Sequence, residues 1–189
     1  MGEARTLTRN DLPLERHKSI AIPVSSSING PAKFLLVHDR RYKEWTFVTG
    51  GCRRREIFNP LRCAVRELEE ETRGIINLKK GTYSYFSFSF KDGEGVNNVY
   101  HVYVFDVPMT DNEQNQVVSK FNEEKAKMED RQVPFRKNYD ENDSCEFDTL
   151  QGITARSDLW DMIRIHVLRN PQFQKFLATP EKQPFFIRQ

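Results

Sequence analysis

Between Gly50 and Gly74 the chain sets a pair of glycines, Gly50-Gly51, ahead of an arginine run, Arg53-Arg54-Arg55, and a carboxylate cluster, Glu67, Glu69, Glu70 and Glu71. Asn59 is a good helix N-cap, Pro60 suits the first helical position and Gly74 can stop the helix, so the spacing predicts a helix over about residues 60–73. Leu61, Val65 and Leu68 then recur on one side and form an apolar stripe that packs on a sheet. Residues three and four apart share a helix face, so Glu67, Glu70 and Glu71 converge, Glu69 points elsewhere, and the acidic side is expected to face outward.

Three converging carboxylates repel one another unless a cation neutralises them. An all-oxygen set of this kind suits Mg²⁺ or Mn²⁺. A glutamate-rich helix alone more often presents a solvated face, with Arg66 pairing to Glu69 or Glu70. The upstream glycines, read as a tight turn, and their spacing to the helix decide for metal-dependent diphosphate chemistry.

These residues resemble the signature of the Nudix hydrolase family. Gly50, five residues, Glu56, and then Arg66-Glu67-Leu68 with Glu70 and Glu71 follow the family order. Nine residues rather than seven separate Glu56 from Arg66, and Arg73 stands where the family places glycine, with Gly74 one place late. The resemblance implies an α/β fold, a Nudix-type α/β/α sandwich with a mixed β-sheet and a loop-helix-loop catalytic motif. It implies that Glu67, Glu70 and Glu71 ligate Mg²⁺ or Mn²⁺, that Glu70 and Glu71 serve catalysis, and that Arg66 and Glu56 support the site. Family members often take a base or extra ligand from a later loop; Glu146 is the expectation here, with Asp143 and Asp148 as rivals. Gly50, Gly51, Arg53, Arg54 and Arg55 are expected to meet substrate phosphates, since guanidinium forks match phosphate oxygens. A solvated basic loop is the plainer alternative for any one of these arginines.

In overall plan the chain also resembles the Nudix proteins of large DNA viruses, baculoviral ones among them. That narrower resemblance implies a nucleotide diphosphate substrate: removal of the cap from the 5′ end of mRNA, or hydrolysis of ADP-ribose, inside the host cell. Two rival readings are a diphosphoinositol polyphosphate phosphohydrolase and a non-catalytic RNA-binding Nudix module; the three intact glutamates weigh against the second. Relatives are commonly dimeric, so a homodimer is an expectation, though no coiled-coil pattern marks an interface.

A chain of 189 residues with 38% hydrophobic and 30% charged side chains fits one globular domain. The reading is a single Nudix domain over 1–189, with a polar insertion at about 112–143 and C-terminal helices at about 157–178. Ile20–Val24, Phe34–Val37 and Trp45–Val48 read as strands, and Tyr83–Lys91 and Val99–Val107 as a hairpin around Asp92-Gly93-Glu94-Gly95. The insertion is expected to begin helical and end as a mobile loop. A net charge of +2 argues against nucleic-acid binding through bulk charge, leaving local clusters to matter.

No apolar run is long enough to cross a bilayer, Met1–Arg5 lack an apolar signal region, and Leu7 spoils a myristoylation reading of Met1-Gly2. An intracellular, cytoplasmic or nuclear setting is expected, with no membrane partner. Cys52, Cys63 and Cys145 are then reduced thiols, and Cys52, lacking a histidine beside it, is a small turn residue rather than a nucleophile. His17, His38, His101 and His166 show no ligand spacing and read as structural. Tyr42, Trp45, Phe47, Tyr85 and Tyr103 are candidates to stack on a base, against a default of core packing.

Overall fold

The computed structural model describes residues 14–26, 30–178 and 181–188; Met1–Arg5 lie outside them. Among the described residues, eight strands form one mixed sheet. The long first strand, β1 (Glu15–Ser25), is its spine. Along one edge β1 runs parallel to β6 (Asn97–Asp106), which pairs antiparallel with β5 (Lys80–Lys91), and β5 in turn pairs with β8 (Gln183–Phe186). Asp92 closes the β5–β6 hairpin by accepting the amides of Glu94 and Val96 at 2.9 and 3.1 Å.

The other edge of β1 is shared. β2 (Lys33–Asp39) takes its C-terminal end, through Val24↔Phe34, and β4 (Val48–Gly51) takes its middle, through Lys18↔Gly51 to Ala21↔Val48. β3 (Trp45–Thr46) pairs with β2, so the chain crosses from β2 to β1 at Phe47, whose wholly buried ring is the pivot. β7 (Asn142–Thr149) completes the sheet beside β2.

Alternation along the strands builds two cores. Ile20, Ile22, Phe34 and Leu36 face a cluster with Ile153, Ile163, Val167 and Phe173. These last come from the helices α3 (Leu150–Thr154), α4 (Asp161–Ile163, continuing as a π turn over Arg164–Leu168) and α5 (Pro171–Ala178). Ala21, Leu35, Val37 and Val48 face the other side, where Val65 and Leu68 of α1 (Pro60–Glu71) and Val117 and Phe121 of α2 (Asp111–Glu129) pack. Burying each such large side chain contributes about 1.5–3 kcal/mol. The expected α/β/α sandwich is what the chain forms.

Several local expectations differ. Gly50 and Gly51 make no tight turn; they are extended residues of β4, hydrogen-bonded in register to β1. The polar insertion does begin as a helix, capped by a reciprocal Thr110–Glu113 box, but its last residues, from Asn142, already belong to β7. Strand β7 holds Glu146, expected in a loop. Among the described helices, none is long and apolar enough to cross a membrane.

Candidate active site

Helix α1 lies against β1 and β4, and its acidic side faces in, not out: Glu67, Glu70 and Glu71 are 8%, 9% and 6% exposed. Glycine makes that possible. A Cβ built on Gly50 collides with the Glu67 carboxylate, so the strand residue opposite the helix has no side chain and the carboxylate occupies the vacated space.

Arg66 organises the acids. Its Nε and Nη2 donate to the two oxygens of Glu56, each at 2.8 Å, while Nη1 donates to Glu67 at 2.9 Å and to Glu70 at 3.1 Å. Nη2 also reaches the Gly51 carbonyl at 3.1 Å, tying helix to strand. Arg53 approaches Glu70 from the loop at 3.5 Å. Glu56 answers by accepting the Arg53 amide at 2.7 Å, which folds the lengthened loop back on the helix through a short 3-10 turn, Glu56–Phe58. Burial works to raise the Glu56 carboxyl, but Arg66 and Arg53 prevail and hold it below its ordinary value.

Glu67 and Glu71 behave oppositely. Burial, with the Glu70 charge adding to it against Arg66, pushes Glu67 up to about 7. Burial and then the charges of Glu67 and Glu141 push Glu71 well above the ordinary carboxylate value, against hydrogen bonds from Asn142 and the Thr49 backbone. The Asn142 amide donates to Glu71 at 3.3 Å. Two buried acids strained in this way call for a positive partner.

The helix ends through Arg73, at φ +57°, followed by Gly74 at φ +80°. A left-handed arginine costs on the order of 1–2 kcal/mol. It is held by its side chain, which is 1% exposed and donates to Asp140 and to the Asn142 carbonyl, both at 2.9 Å, with its guanidinium 4.9 Å from the Phe121 ring centre. Arg73 thereby fixes Asp140 and Asn142, and the residue between them, Glu141, is delivered to the cleft. Burial followed by the Glu70 charge raises the Glu141 carboxyl.

The cleft itself, about 520 Å³, is lined by Gly50, Gly51, Thr49, Glu71, Glu141, Asn142, Asp39, Glu44, Lys18, Tyr42, Thr46 and Trp160. Four acids face one ammonium there, an imbalance that a divalent cation would correct. The donor set fits such a cation: all oxygens, with Glu71 on a rigid helix whose neighbouring Glu67 is seated over Gly50. No three acidic, His or Cys side chains among the described residues converge into a ready-made cage. Arg66 accounts for this, since it draws Glu67 and Glu70 to itself.

Not every expected residue comes to this place. Glu146 pairs across β2 with Leu36, so it lies on the sheet face opposite α1, and its carboxylate is bonded to Arg156. Asp148 shares that arginine at 2.9 Å, and Asp143 is bonded to His38 at 2.7 Å. Arg54 and Arg55 line a separate groove beyond α1. Of the proposed stacking rings, Phe47 and Tyr103 are buried, Trp45 lies under the Arg156 guanidinium at 4.6 Å, and Tyr85 bonds to His101 at 2.8 Å. Tyr42 is 65% exposed at the cleft. Cys63 donates to Ser19 at 3.2 Å, and a hydrogen bond with Cys63 followed by burial raises the Cys52 thiol, which weighs against Cys52 as a nucleophile; the same bond lowers the buried Cys63.

Sequence reading missed Lys18, Glu141, Asn142 and Trp160. The acid-rich Asp140-Glu141-Asn142-Asp143 stretch was the available signal for the second and third of these; the register of β7, invisible in composition, decided against Glu146.

A buried carboxylate ridge facing a strand glycine, braced by one arginine, is the arrangement of a metal-assisted phosphoanhydride hydrolase. The NUDIX domain profile matches residues 16–143, and the chain belongs to the Nudix family of pyrophosphatase-type hydrolases. A comparison with curated protein sequences gave no match. Among solved structures, the NUDIX domain of Shewanella oneidensis NrtR complexed with ADP ribose is similar with a TM-score of 0.56 at 11% identity, covering 93% of this chain and 99% of that one. A Nudix hydrolase from M. smegmatis, RenU, is similar with a TM-score of 0.56 at 16% identity, covering 99% and 100%. At such identities the likeness concerns the fold.

Proposed function

We propose that the protein hydrolyses the diphosphate bridge of a nucleoside-linked substrate, using Mg²⁺ or Mn²⁺ held by Glu67, Glu70 and Glu71. The supporting observation is the burial of those three carboxylates, Glu67 directly over Gly50 and Glu71 in the lining of a cleft that sets four acids, Asp39, Glu44, Glu71 and Glu141, against one ammonium. A cation held there would supply neutralisation of diphosphate oxygens and a lowered pKa for an attacking water. The chain does the rest. Arg66 and Asn142 fix the directions of the helix carboxylates, Lys18 meets phosphate charge within the cleft, and Glu141 is the group placed to accept the water's proton. Its raised proton affinity suits that task near neutral pH. Tyr42 and Trp160 offer rings for a base at the rim.

Two substrates suit this cleft: the capped 5′ end of mRNA and ADP-ribose, the ligand in the structurally similar NrtR domain. Two rim rings favour the methylated base of a cap, whose positive charge gains from aromatic faces. Capped RNA and ADP-ribose incubated side by side, with and without Mn²⁺, test the reading. Metal-dependent release of the methylguanosine nucleotide, or of AMP, is expected; no turnover of either substrate would overturn it.

A further inference from the structure

The loop and outer flank of α1 form a second concavity of about 560 Å³, separate from the cleft, whose lining includes Arg53, Arg54, Arg55, Arg62, Arg66 and Lys79. Its acids are Glu56 and Glu69. Glu56 is already bonded to Arg66, and Arg53 leans toward Glu70. Arg54, Arg55, Arg62 and Lys79 are exposed and have no carboxylate partner among the described residues. Like charges gathered without partners are unfavourable in the free protein and become favourable when a polyanion displaces their counterions.

Two further observations narrow the ligand. The 3-10 turn that carries Glu56 into this groove ends at Phe58, which stands outside the groove's lining, 92% exposed, in the stretch between Arg55 and Arg62. A compact polyphosphate has no use for a ring held in water, whereas an unstacked base does. The groove also adjoins the active site through Arg53, which touches Glu70, and through Arg66, which bonds Glu67 and Glu70. A chain of phosphodiesters lying across Arg62, Lys79, Arg55 and Arg54 would bring its end to the helix carboxylates.

We propose that this groove binds single-stranded nucleic acid, gripping consecutive phosphates with Arg54, Arg55, Arg62 and Lys79 and stacking a base on Phe58. The hydrolase reading enters only in what happens to the strand's 5′ end, so strand binding is tested with no metal and no turnover. The whole chain is titrated into a 3′-labelled 12-nucleotide RNA, and into the matching DNA, by fluorescence anisotropy at several salt concentrations; binding of either strand through these residues supports the groove. Wild type should bind with a strong salt dependence. R62E/K79E should weaken binding at least tenfold and lower the salt slope by about 0.7 for each phosphate no longer neutralised, and F58A should weaken it about fivefold or more. Both variants alter exposed side chains outside the cleft, so their far-UV circular dichroism and Tm should match the wild type and certify their fold. No strand binding at low salt, or binding unchanged in R62E/K79E, would overturn the proposal. So would competition by tripolyphosphate equal to that of the strand with F58A unaffected, which would mark a compact-anion site instead.

Discussion

The Glu67 carboxylate fills the space that a side chain on Gly50 would take. Gly50 is extended, so the need for glycine is one of room rather than of backbone conformation. Gly50→Ala should therefore fold with near-normal circular dichroism yet lose at least a hundredfold in kcat, because the displaced carboxylate would leave the shell of the proposed cation. The rise in Tm that Mn²⁺ gives the wild type should vanish in the same variant.

Glu141 and Glu146 separate position from proximity in sequence. Glu141 lines the cleft, while Glu146 is bonded to Arg156 on the other face of the sheet. Glu141→Gln should lower kcat by about 10²–10³-fold, in the range of a lost general base. Glu146→Gln should change kcat less than threefold. Initial rates on one substrate check both.

Arg66 reaches Glu56 through two nitrogens and Glu67 and Glu70 through a third. Lysine carries the charge but not the fork. Arg66→Lys is expected to cut kcat about tenfold or more with KM within threefold, since the fork orients carboxylates and does not hold substrate. Steady-state kinetics separates the two parameters.

Asp143 gives a pH signature away from the cleft. Burial raises its carboxyl, but the bond from His38, that residue's charge and the nearby Lys43 outweigh it, leaving Asp143 below its ordinary value. A carboxyl depressed by folding stabilises fully above its unfolded value, near 4, and loses that contribution as pH falls through its folded value. Asp143→Asn should cost about 1 kcal/mol at pH 7. In urea unfolding the gap from wild type should shrink steadily below about pH 4.

Much of the fold is legible because it rests on short-range rules. Pro60, the Leu61/Val65/Leu68 stripe and Gly74 point to a helix over 60–73, and it runs from Pro60 to Glu71. The strands before and after it follow their β-branched and aromatic runs. What escapes depends on partners distant in sequence. Whether the acidic side of α1 faces water or a strand depends on Gly50 packing beneath Glu67, which periodicity cannot reveal. Glu146 suits the chemistry by residue type, but register places it with Leu36. Arg73 looks like a displaced glycine, yet its left-handed backbone is held by Asp140 and Asn142, and this strained residue sets Glu141 at the cleft.

Calorimetric titration of Mn²⁺ into the wild type and into Glu67→Gln, Glu70→Gln and Glu71→Gln tests the central claim most directly. The wild type should bind with at least micromolar affinity and release protons, because Glu67 and Glu71 hold them more tightly than ordinary carboxylates. Each variant should weaken binding at least tenfold. Equal Mn²⁺ affinity in all four proteins would contradict a metal held by these carboxylates.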